Sequence, residues 1–406
     1  MEHEIPQQVK HKFFTPGVIV LVIIALNGII FIAGRFLYGL GAVTNLDQQY
    51  PWGIWIGVDV AAGVALAAGG FISAAIGHIL HKDAYHSIVR PALLTAMLGY
   101  TFVAFGVFID IGRWYYIWHP LVMWNPNSAL FEVGICVIIY LNVLYIEFLP
   151  IVAERFIGKL NMKGIFRFLN KPLDKLLRVL DSGLSKTMFV FIIAGVVLSS
   201  LHQSSLGTLM IIAGDKMHPL WQTPILPLLF LISAVAVGLP MVIFESLMAA
   251  RSFKLKPEFS LLSRLGNYVG PILGVYLSFK IGDMVIRESF VNLVPMDLPA
   301  IMFLIEMIVG VVIPMIIFLT PLTSKSVSWL FWASSMVIFG VLLNRINNFV
   351  IAYNAPYAVE AYIPSYGEIS VTLGAASLLI LLYRFFVINF PVISLPAPSG
   401  VHNSNK

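Results

Sequence analysis

The sequence predicts an all-α protein that crosses a membrane about ten times, and three observations support that prediction. Of its 406 residues, 59% are hydrophobic and only 11% are charged, whereas a soluble domain usually carries about 25% charged residues. Apolar runs of about 20 residues, the length of a membrane-spanning helix, recur along the whole chain. The Lys and Arg residues are also divided very unevenly between alternate loops.

The predicted helices follow one another in order along the chain. The first apolar run has no small-residue cleavage site after it, so we interpret it as a retained helix and not as a signal peptide. The ten spans are expected at 16–38, 52–80, 89–113, 129–154, 186–213, 223–250, 262–287, 298–321, 327–350 and 367–390.

A weak repeat predicts how these helices are grouped. Asp110 and Arg113 end helix 3 much as Asp283 and Arg287 end helix 7, and acidic residues recur early in helices 4 and 8. We therefore expect two four-helix bundles, made of helices 2–5 and 6–9 and flanked by helices 1 and 10. The corresponding units are 1–51, 52–213 with a basic loop at 155–185, 223–350 and 351–406.

The distribution of positive charge predicts the orientation. Nineteen of the 25 Lys and Arg residues lie in the N-terminal segment, the even-numbered loops and the C-terminal end. Because cytoplasmic loops carry the excess of Lys and Arg, both termini are expected in the cytoplasm. Apolar residues recur at helical spacing in the basic loop, which predicts an amphipathic helix lying on the membrane surface.

The chain lacks the residues that bind common redox cofactors. Cys136 is the only cysteine, so the chain cannot hold an iron–sulfur cluster or a structural zinc. A dihaem membrane cytochrome needs two facing pairs of histidines, and only His202 is clearly within the membrane. Electrons are therefore expected to come from a partner docked on the odd-numbered loops, which are rich in aromatic residues and proline. No nucleic acid is expected as a partner.

Five polar residues are predicted to meet near the outer surface, because they lie toward the same end of four successive helices. Together they offer proton carriers and hydrogen-bond donors and acceptors, which a quinone site needs. Alternatives remain for individual members: a structural ion pair between Asp110 and Arg113, an interfacial carboxylate or a satisfied packing site. The candidate quinone-binding residues are Asp59, Asp110, Arg113, Glu132 and His202.

A second set of residues predicts a proton path. Glu132, Tyr140 and Glu147 share one face of helix 4 at 100° per residue, and that face extends roughly 22 Å along the axis. Tyr100 lies near the middle of helix 3. These residues can connect the cytoplasmic half of the membrane to the quinone site, or Glu147 can simply pair with Arg155.

Several motifs in these segments resemble the NrfD/PsrC family, and within it the HybB-type membrane subunits of nickel–iron hydrogenase-2 complexes. The likeness covers most of residues 35–250 by motif and 260–390 mainly by the pattern of spans. The motifs are Tyr38-Gly-Leu-Gly-Ala, Tyr50-Pro-Trp-Gly-Ile-Trp-Ile before Asp59, Val89-Arg-Pro-Ala-Leu-Leu with Gly99-Tyr100, Ile109-Asp-Ile-Gly-Arg113, Phe131-Glu132, Glu147-Phe, His202-Gln-Ser-Ser-Leu-Gly-Thr-Leu-Met and His218-Pro-Leu-Trp221.

The resemblance implies ten helices, no haem or metal, and a menaquinone site in the first bundle with Asp110 at the family's acidic quinone-site position. It also implies a periplasmic ferredoxin-like iron–sulfur subunit as partner. We therefore expect a quinone-reactive membrane subunit of a respiratory oxidoreductase, with nickel–iron hydrogenase large and small subunits as further partners. The alternatives are the membrane anchor of a polysulfide reductase or multihaem cytochrome complex, and an ion-driven secondary transporter.

Overall fold

The protein is an all-α integral membrane protein that crosses the membrane several times. The computed structural model describes residues 4–79, 85–161, 163–358 and 360–396. Within those ranges ten helices are long and apolar enough to cross a membrane. In chain order, α1 to α10 are Pro16–Tyr38, Trp55–Gly77, His86–Asp110, Ala129–Phe156, Asn170–Ile212, Leu226–Phe253, Phe259–Ile286, Leu298–Leu319, Val327–Ile351 and Tyr366–Asn389.

The two ends of the chain meet on one side of the helices. Strand β1, Glu4–Gln7, pairs antiparallel with β2, Ile393–Pro396. Arg384 of α10 strengthens this contact by donating hydrogen bonds to the backbone oxygens of Lys12 and Phe13. We call this side the terminal side and the opposite side, where the odd-numbered loops lie, the far side.

Helix α3 ends three residues earlier than the sequence predicts. Ile111 has the extended dihedrals φ −60° and ψ 120°, so the last helical residue is Asp110. Arg35 of α1 holds this end, because its guanidinium donates 2.6 Å hydrogen bonds to the backbone oxygens of Ile109 and Ile111. These carbonyls would otherwise lack partners at a helix terminus.

The prediction that the loop at 155–185 contains a helix lying on the membrane surface was wrong in the orientation of that helix. Residues 170–185 form the first part of α5, which runs without a break for 43 residues, or roughly 64 Å at 1.5 Å per residue. This length exceeds a membrane span, so the amphipathic part continues the axis of the spanning helix beyond the terminal side. The bond from Gly158 to Asp174 ties it to the end of α4.

Close helix contacts connect the first and second halves of the chain. A Cβ at Gly69 of α2 would lie 3.0 Å from the backbone oxygen of Gly238 in α6. Gly57 of α2 packs in the same way against Phe349 of α9. The small residues of α2 thus allow close backbone packing. The division into two bundles with separate units stays a prediction.

Helix α2 is irregular where its acidic residue lies. Residues Trp55–Ala62, which include Asp59, form π-helical turns, and the helix is interrupted again at Ala67 and Ala68. Similar π-helical turns occur at Ile308–Val312 in α8 and Asn347–Ile351 in α9. Such turns are rare in proteins as a whole, but those that occur are often found at functional sites.

Candidate functional site

Asp59 and Asp110 lie together, in a group that also includes residues of the first and last helices. Asp59 Oδ2 accepts a 2.8 Å hydrogen bond from the hydroxyl of Thr372 in α10. Asp110 lies within electrostatic range of Asp59, of Arg35 and of Glu368. We call these five residues, Arg35, Asp59, Asp110, Glu368 and Thr372, the Asp110 cluster.

The predicted ion pair between Asp110 and Arg113 was wrong. Because α3 ends at Asp110, Arg113 is no longer one helical turn away on the same face, and its side chain is exposed. The cation that interacts electrostatically with Asp110 is instead Arg35, which is only 2% exposed. The Oδ1 atom of Asp110 is buried and has no hydrogen-bond partner within the described residues. A buried acceptor without a partner usually indicates a water or ligand.

Trp55 and Phe105 form apolar packing near this cluster. Trp55 is 1% exposed and packs in one apolar cluster with Ile109, against which Phe105 also packs. Its indole nitrogen donates a 3.0 Å hydrogen bond to the backbone oxygen of Glu368. Two aromatic residues near the starts of α2 and α4 pack elsewhere, Trp52 on Phe349 and Phe131 near Trp124.

Glu132 lies in a different group, between α4 and α5. It is in the first turn of α4, which Ser128 caps, so its negative charge lies at the favourable end of the helix dipole. The hydroxyl of Ser205 in α5 donates a 2.6 Å hydrogen bond to Glu132 Oε1. The Glu132 carboxylate is therefore oriented toward α5.

Farther along α4 and α5, Tyr140 and His202 pack together with Tyr100 of α3. The rings of Tyr100 and Tyr140 meet edge to face with centroids 4.5 Å apart, and the His202 ring lies 5.7 Å from that of Tyr100. Ser199 is close to both tyrosine hydroxyls. The Tyr100 hydroxyl, the Ser199 hydroxyl and both His202 ring nitrogens are buried and lack partners within the described residues.

Glu147 continues this group toward the terminal side. Its Oε1 would lie 3.3 Å from a Cβ placed on Gly195 of α5, and Tyr140 packs against the same glycine. Glu147 and Arg155, which could have paired with each other, form no ion pair within the described residues. The acid near this end of α4 that does form one is Glu154, which pairs with Arg90 at 2.9 Å. We call Tyr100, Glu132, Tyr140, Glu147, Ser199, His202 and Ser205 the Glu132 chain.

The structure thus divides the predicted quinone residues between two groups. Asp59 and Asp110 lie in the Asp110 cluster, Glu132 and His202 lie in the Glu132 chain, and Arg113 is in neither. Helix α3 is common to both, since Tyr100 and Asp110 are ten residues apart, or roughly 15 Å along the helix axis.

Sequence reasoning missed several residues of these groups. Arg35 is among the Lys and Arg residues outside the nineteen assigned to the cytoplasmic side, and its charge alone does not indicate that it is buried. Glu368 and Ser365 form a capping box, whose Ser-x-x-Glu pattern can be read directly from the sequence. Nothing in the sequence pattern marks Thr372, because its partner Asp59 lies more than 300 residues away.

A further buried polar network lies in the second half of the chain. Glu306 of α8 accepts hydrogen bonds from Trp221, Asn344 and Asn347 at 3.0, 2.7 and 2.7 Å. Arg345 is fully buried and contacts the Ser233 hydroxyl at 2.8 Å. The network therefore joins α8 and α9 to the neighbouring helices, although Arg345 Nε and Asn347 Oδ1 are buried without a hydrogen-bond partner within the described residues.

A cavity of about 490 Å³ opens near the far-side end of α7. It is lined partly by Phe279, Ile286 and the ion pair of Asp283 with Arg287, whose closest atoms are 2.7 Å apart. Asp283 also accepts a 2.6 Å bond from Thr223. The second acidic–basic motif therefore forms the ion pair that the first one does not.

Comparison with known proteins decides the family. The model of the family described as polysulphide reductase, NrfD, matches residues 42–356. The chain belongs to the NrfD family. A protein of Nitratidesulfovibrio vulgaris is 36% identical over 391 residues, which are 94% of this chain and 95% of that protein. As a member of the NrfD family, the chain has the fold and multi-pass membrane character that the sequence predicts.

Two named relatives are similar over nearly their whole length. The probable Ni/Fe-hydrogenase 2 b-type cytochrome subunit of Escherichia coli is 29% identical over 412 residues, covering 100% of this chain and 99% of the relative. The menaquinone reductase integral membrane subunit of Nitratidesulfovibrio vulgaris is 28% identical over 386 residues, covering 87% and 86%. By their names, the first relative is a subunit of a hydrogenase and the second is the integral membrane subunit of a menaquinone reductase.

The name of the Escherichia coli relative mentions a b-type cytochrome, which bears on the expected absence of haem. His202 is buried on α5 with both ring nitrogens unpartnered, but axial ligation by two residues needs a second side chain facing it. Its ring neighbour within the described residues is Tyr100. That this chain binds no haem remains a prediction. No group of three or more His, Cys, Asp or Glu residues suited to a metal ion occurs in the described part of the chain.

Proposed function

We propose that this NrfD-family protein is a haem-free, quinone-reactive membrane subunit that exchanges electrons between a partner iron–sulfur subunit and menaquinone. Proton transfer accompanies that exchange. The observation that carries the proposal is the set of partly or fully buried acids and of unpartnered polar atoms on helices α2 to α5. Ionisable groups inside a membrane are costly and commonly mark substrate or proton pathways.

The Asp110 cluster is the proposed contact with the quinone ring. Asp110 Oδ1 lacks a hydrogen-bond partner within the described residues, so the protonated carboxyl can donate a hydrogen bond to a quinone oxygen. Asp59 is held by Thr372 and can return a proton to Asp110. Arg35 offsets the negative charge and fixes the end of α3, while Trp55 and Phe105 form apolar walls.

The Glu132 chain is the proposed proton path. Glu132 begins the chain near the far side, His202 and Tyr100 occupy its middle, and Tyr140 and Glu147 extend it toward the terminal side. The four buried atoms without partners can each bind ordered water. In this arrangement Glu132 and His202 exchange protons with the quinone site, and Glu147 exchanges them with the cytoplasmic half.

The proposed partners are a periplasmic ferredoxin-like iron–sulfur subunit and, with it, the large and small subunits of a nickel–iron hydrogenase. Likeness to the hydrogenase-2 relative over the full length supports this choice. An exposed aromatic segment follows the Asp110 cluster, with Trp118 50% and Trp124 74% exposed. The proposed location is the bacterial inner membrane with both termini in the cytoplasm.

The rival transporter function predicts broken helices at corresponding places of the two repeats. Helix α2 is interrupted at Ala67 and Ala68, which is early in the first bundle. The irregular turns of the second half, Ile308–Val312 and Asn347–Ile351, lie in its third and fourth helices. The interruptions therefore do not correspond, which favours the quinone-reactive function.

The direct test replaces the acids in the assembled complex. Asp110→Asn and Glu132→Gln are expected to lower the rate of menaquinone-analogue reduction at least tenfold, because removal of a positioned proton carrier typically costs more than that. Asp181→Asn, a carboxyl on the terminal-side extension of α5, is the matched control and keeps the parent rate. Parent rates in both acid variants would refute the proposed function.

A further inference from the structure

Helices α1 and α10 were expected only to flank the two bundles, yet they complete the Asp110 cluster. Glu368 lies in the first turn of α10 and is 1% exposed. Thr372, which binds Asp59, is four residues later and therefore on the same face of the helix. Helix α10 thus presents two polar residues to the acids of α2 and α3.

The cluster holds more acidic groups than basic ones. Three carboxyl groups, those of Asp59, Asp110 and Glu368, share one buried cation, Arg35. Arg35 can offset only one of three negative charges, so the cluster has an excess of acidic groups. Acidic groups of this kind inside a membrane commonly serve as proton relays.

Tyr362 connects Glu368 to the far-side surface. Its hydroxyl donates a short hydrogen bond to Glu368 Oε1 and accepts a 3.1 Å bond from the amide of Ile54. Its chain neighbours Ala361 and Ile363 are exposed. Burial and the bond to Glu368 raise the pKa of Tyr362, so the side chain passes protons through its neutral hydroxyl and not by ionising.

Gly53 makes this position of the Tyr362 hydroxyl possible. A Cβ at residue 53 would overlap the hydroxyl of Tyr362 and lie 2.9 Å from Leu46. Only glycine therefore allows the tyrosine to reach the start of α2. The hydroxyl is positioned by Glu368 of α10 and by the amide of Ile54, the residue just before α2.

We propose that Glu368 and Tyr362 carry protons between Asp110 and the far-side surface. This inference rests on the proposed function and adds the route by which the site exchanges protons with the outside. In the outward direction, the Asp110 carboxyl gives its proton to the Glu368 carboxylate through a bridging water. The Tyr362 hydroxyl then turns its hydrogen from Glu368 toward bulk water. Glu368 protonates the Tyr362 oxygen as Tyr362 releases that hydrogen to water, so one proton leaves and no electrons move. The reverse order takes protons inward.

Glu368 also has a structural role, which the test must separate from proton transfer. Its Oε2 accepts 2.9 and 3.1 Å bonds from the amides of Ser365 and Asn45, and the Ser365 hydroxyl accepts a bond from the Glu368 amide. Glutamine serves equally well at this position of a capping box. Glu368→Gln therefore keeps the cap and removes the acid, whereas Ser365→Ala weakens the cap and keeps the acid.

The experiment compares these two variants in the assembled complex. Turnover of a water-soluble menaquinone analogue is measured in H₂O and D₂O, together with thermal stability. Glu368→Gln is expected to lower kcat about tenfold, to raise the solvent isotope effect and to leave KM and stability unchanged. Ser365→Ala is expected to lower the melting temperature with an unchanged kcat. Parent kcat in Glu368→Gln, or equal losses of kcat in both variants, would overturn the proposal.

Two further variants separate a failure of the proton route from a failure of the proposed function. Tyr362→Phe retains the ring and removes the exchangeable hydrogen, so it must also lower kcat and raise the isotope effect, even if Glu368→Gln fails to assemble. Asp110→Asn serves as the reference for the proposed function. A slow Asp110→Asn with a normal Tyr362→Phe refutes only the route, whereas parent rates in both Asp110→Asn and Glu132→Gln refute the function itself.

Discussion

The hydroxyl of Ser205 donates a 2.6 Å hydrogen bond to Glu132 Oε1, and the same hydroxyl lies 2.8 Å from the backbone oxygen of Leu201. A side chain of α5 therefore orients the first carboxylate of α4. From the sequence, α4 and α5 could be grouped only because both carry polar residues. This hydrogen bond shows a direct contact between them. It also fixes which face of α4 begins the proposed proton path.

Removing the Ser205 hydroxyl should misorient Glu132 without removing its charge. Ser205→Ala is expected to lower kcat for menaquinone-analogue reduction a few fold and to change stability by about 1 kcal/mol. Ser204→Ala, at the neighbouring position of the same helix, is the control and should keep the parent kcat. Equal kcat in the two variants would show that Glu132 does not depend on Ser205.

Arg35 should be essential to the fold near Asp110, and Arg113 should not. Arg35→Met leaves the carbonyls of Ile109 and Ile111 without donors and the nearby acids without a cation. A buried charge that loses its partner costs about 3–5 kcal/mol. Thermal unfolding of the purified complex should therefore show a large loss for Arg35→Met and almost none for Arg113→Ala. The reverse order would support the ion pair that the sequence suggested.

The contact of α1 with α10 should tolerate no added side chain at Gly28. A Cβ there would lie 2.8 Å from the Cα of Gly374, so Gly28→Ala must push the two helices apart. We expect a loss of about 1–3 kcal/mol and weaker proton transfer, because Thr372 then moves away from Asp59. Gly17→Ala, which meets nothing within 4 Å, is the control for the same helix. Equal thermal stability in both variants would contradict this packing.

The buried hydroxyl of Tyr100 should matter for proton transfer more than for stability. Tyr100→Phe removes an atom that has no partner within the described residues, so the stability cost should be small. Loss of a proton carrier should lower kcat about tenfold. Tyr145→Phe is the control, since that tyrosine is 43% exposed and its hydroxyl contacts Thr101. A normal kcat with Tyr100→Phe would remove Tyr100 from the path.

The number, order and approximate limits of the helices could be predicted from hydrophobicity alone, because a membrane span has a fixed length. The end of α3 could not. Apolar residues continue past Asp110, and the helix stops there with Arg35 from another helix on its terminal carbonyls. A three-residue error in that limit was enough to produce the wrong ion pair.

The candidate site was predicted only in part for a similar reason. Helical spacing placed Glu132, Tyr140 and Glu147 on one face of α4, and Tyr100 does lie against Tyr140 on that face, with His202 beside Tyr100. Spacing carries no information on which distant helices close a site. Thr372 and Glu368 approach Asp59 and Asp110 from the other end of the chain, and no local pattern indicates that approach.

The most direct test of the central claim locates the quinone itself. A menaquinone analogue with a photoreactive group on its ring is irradiated in the assembled complex, and the labelled peptides are identified by mass spectrometry. If the Asp110 cluster binds the quinone, labelling is expected in residues 100–132 and around Asp59, and it should be reduced in Asp110→Asn. Labelling confined to the second-half cavity between Pro224 and Arg287, and unchanged in that variant, would contradict it.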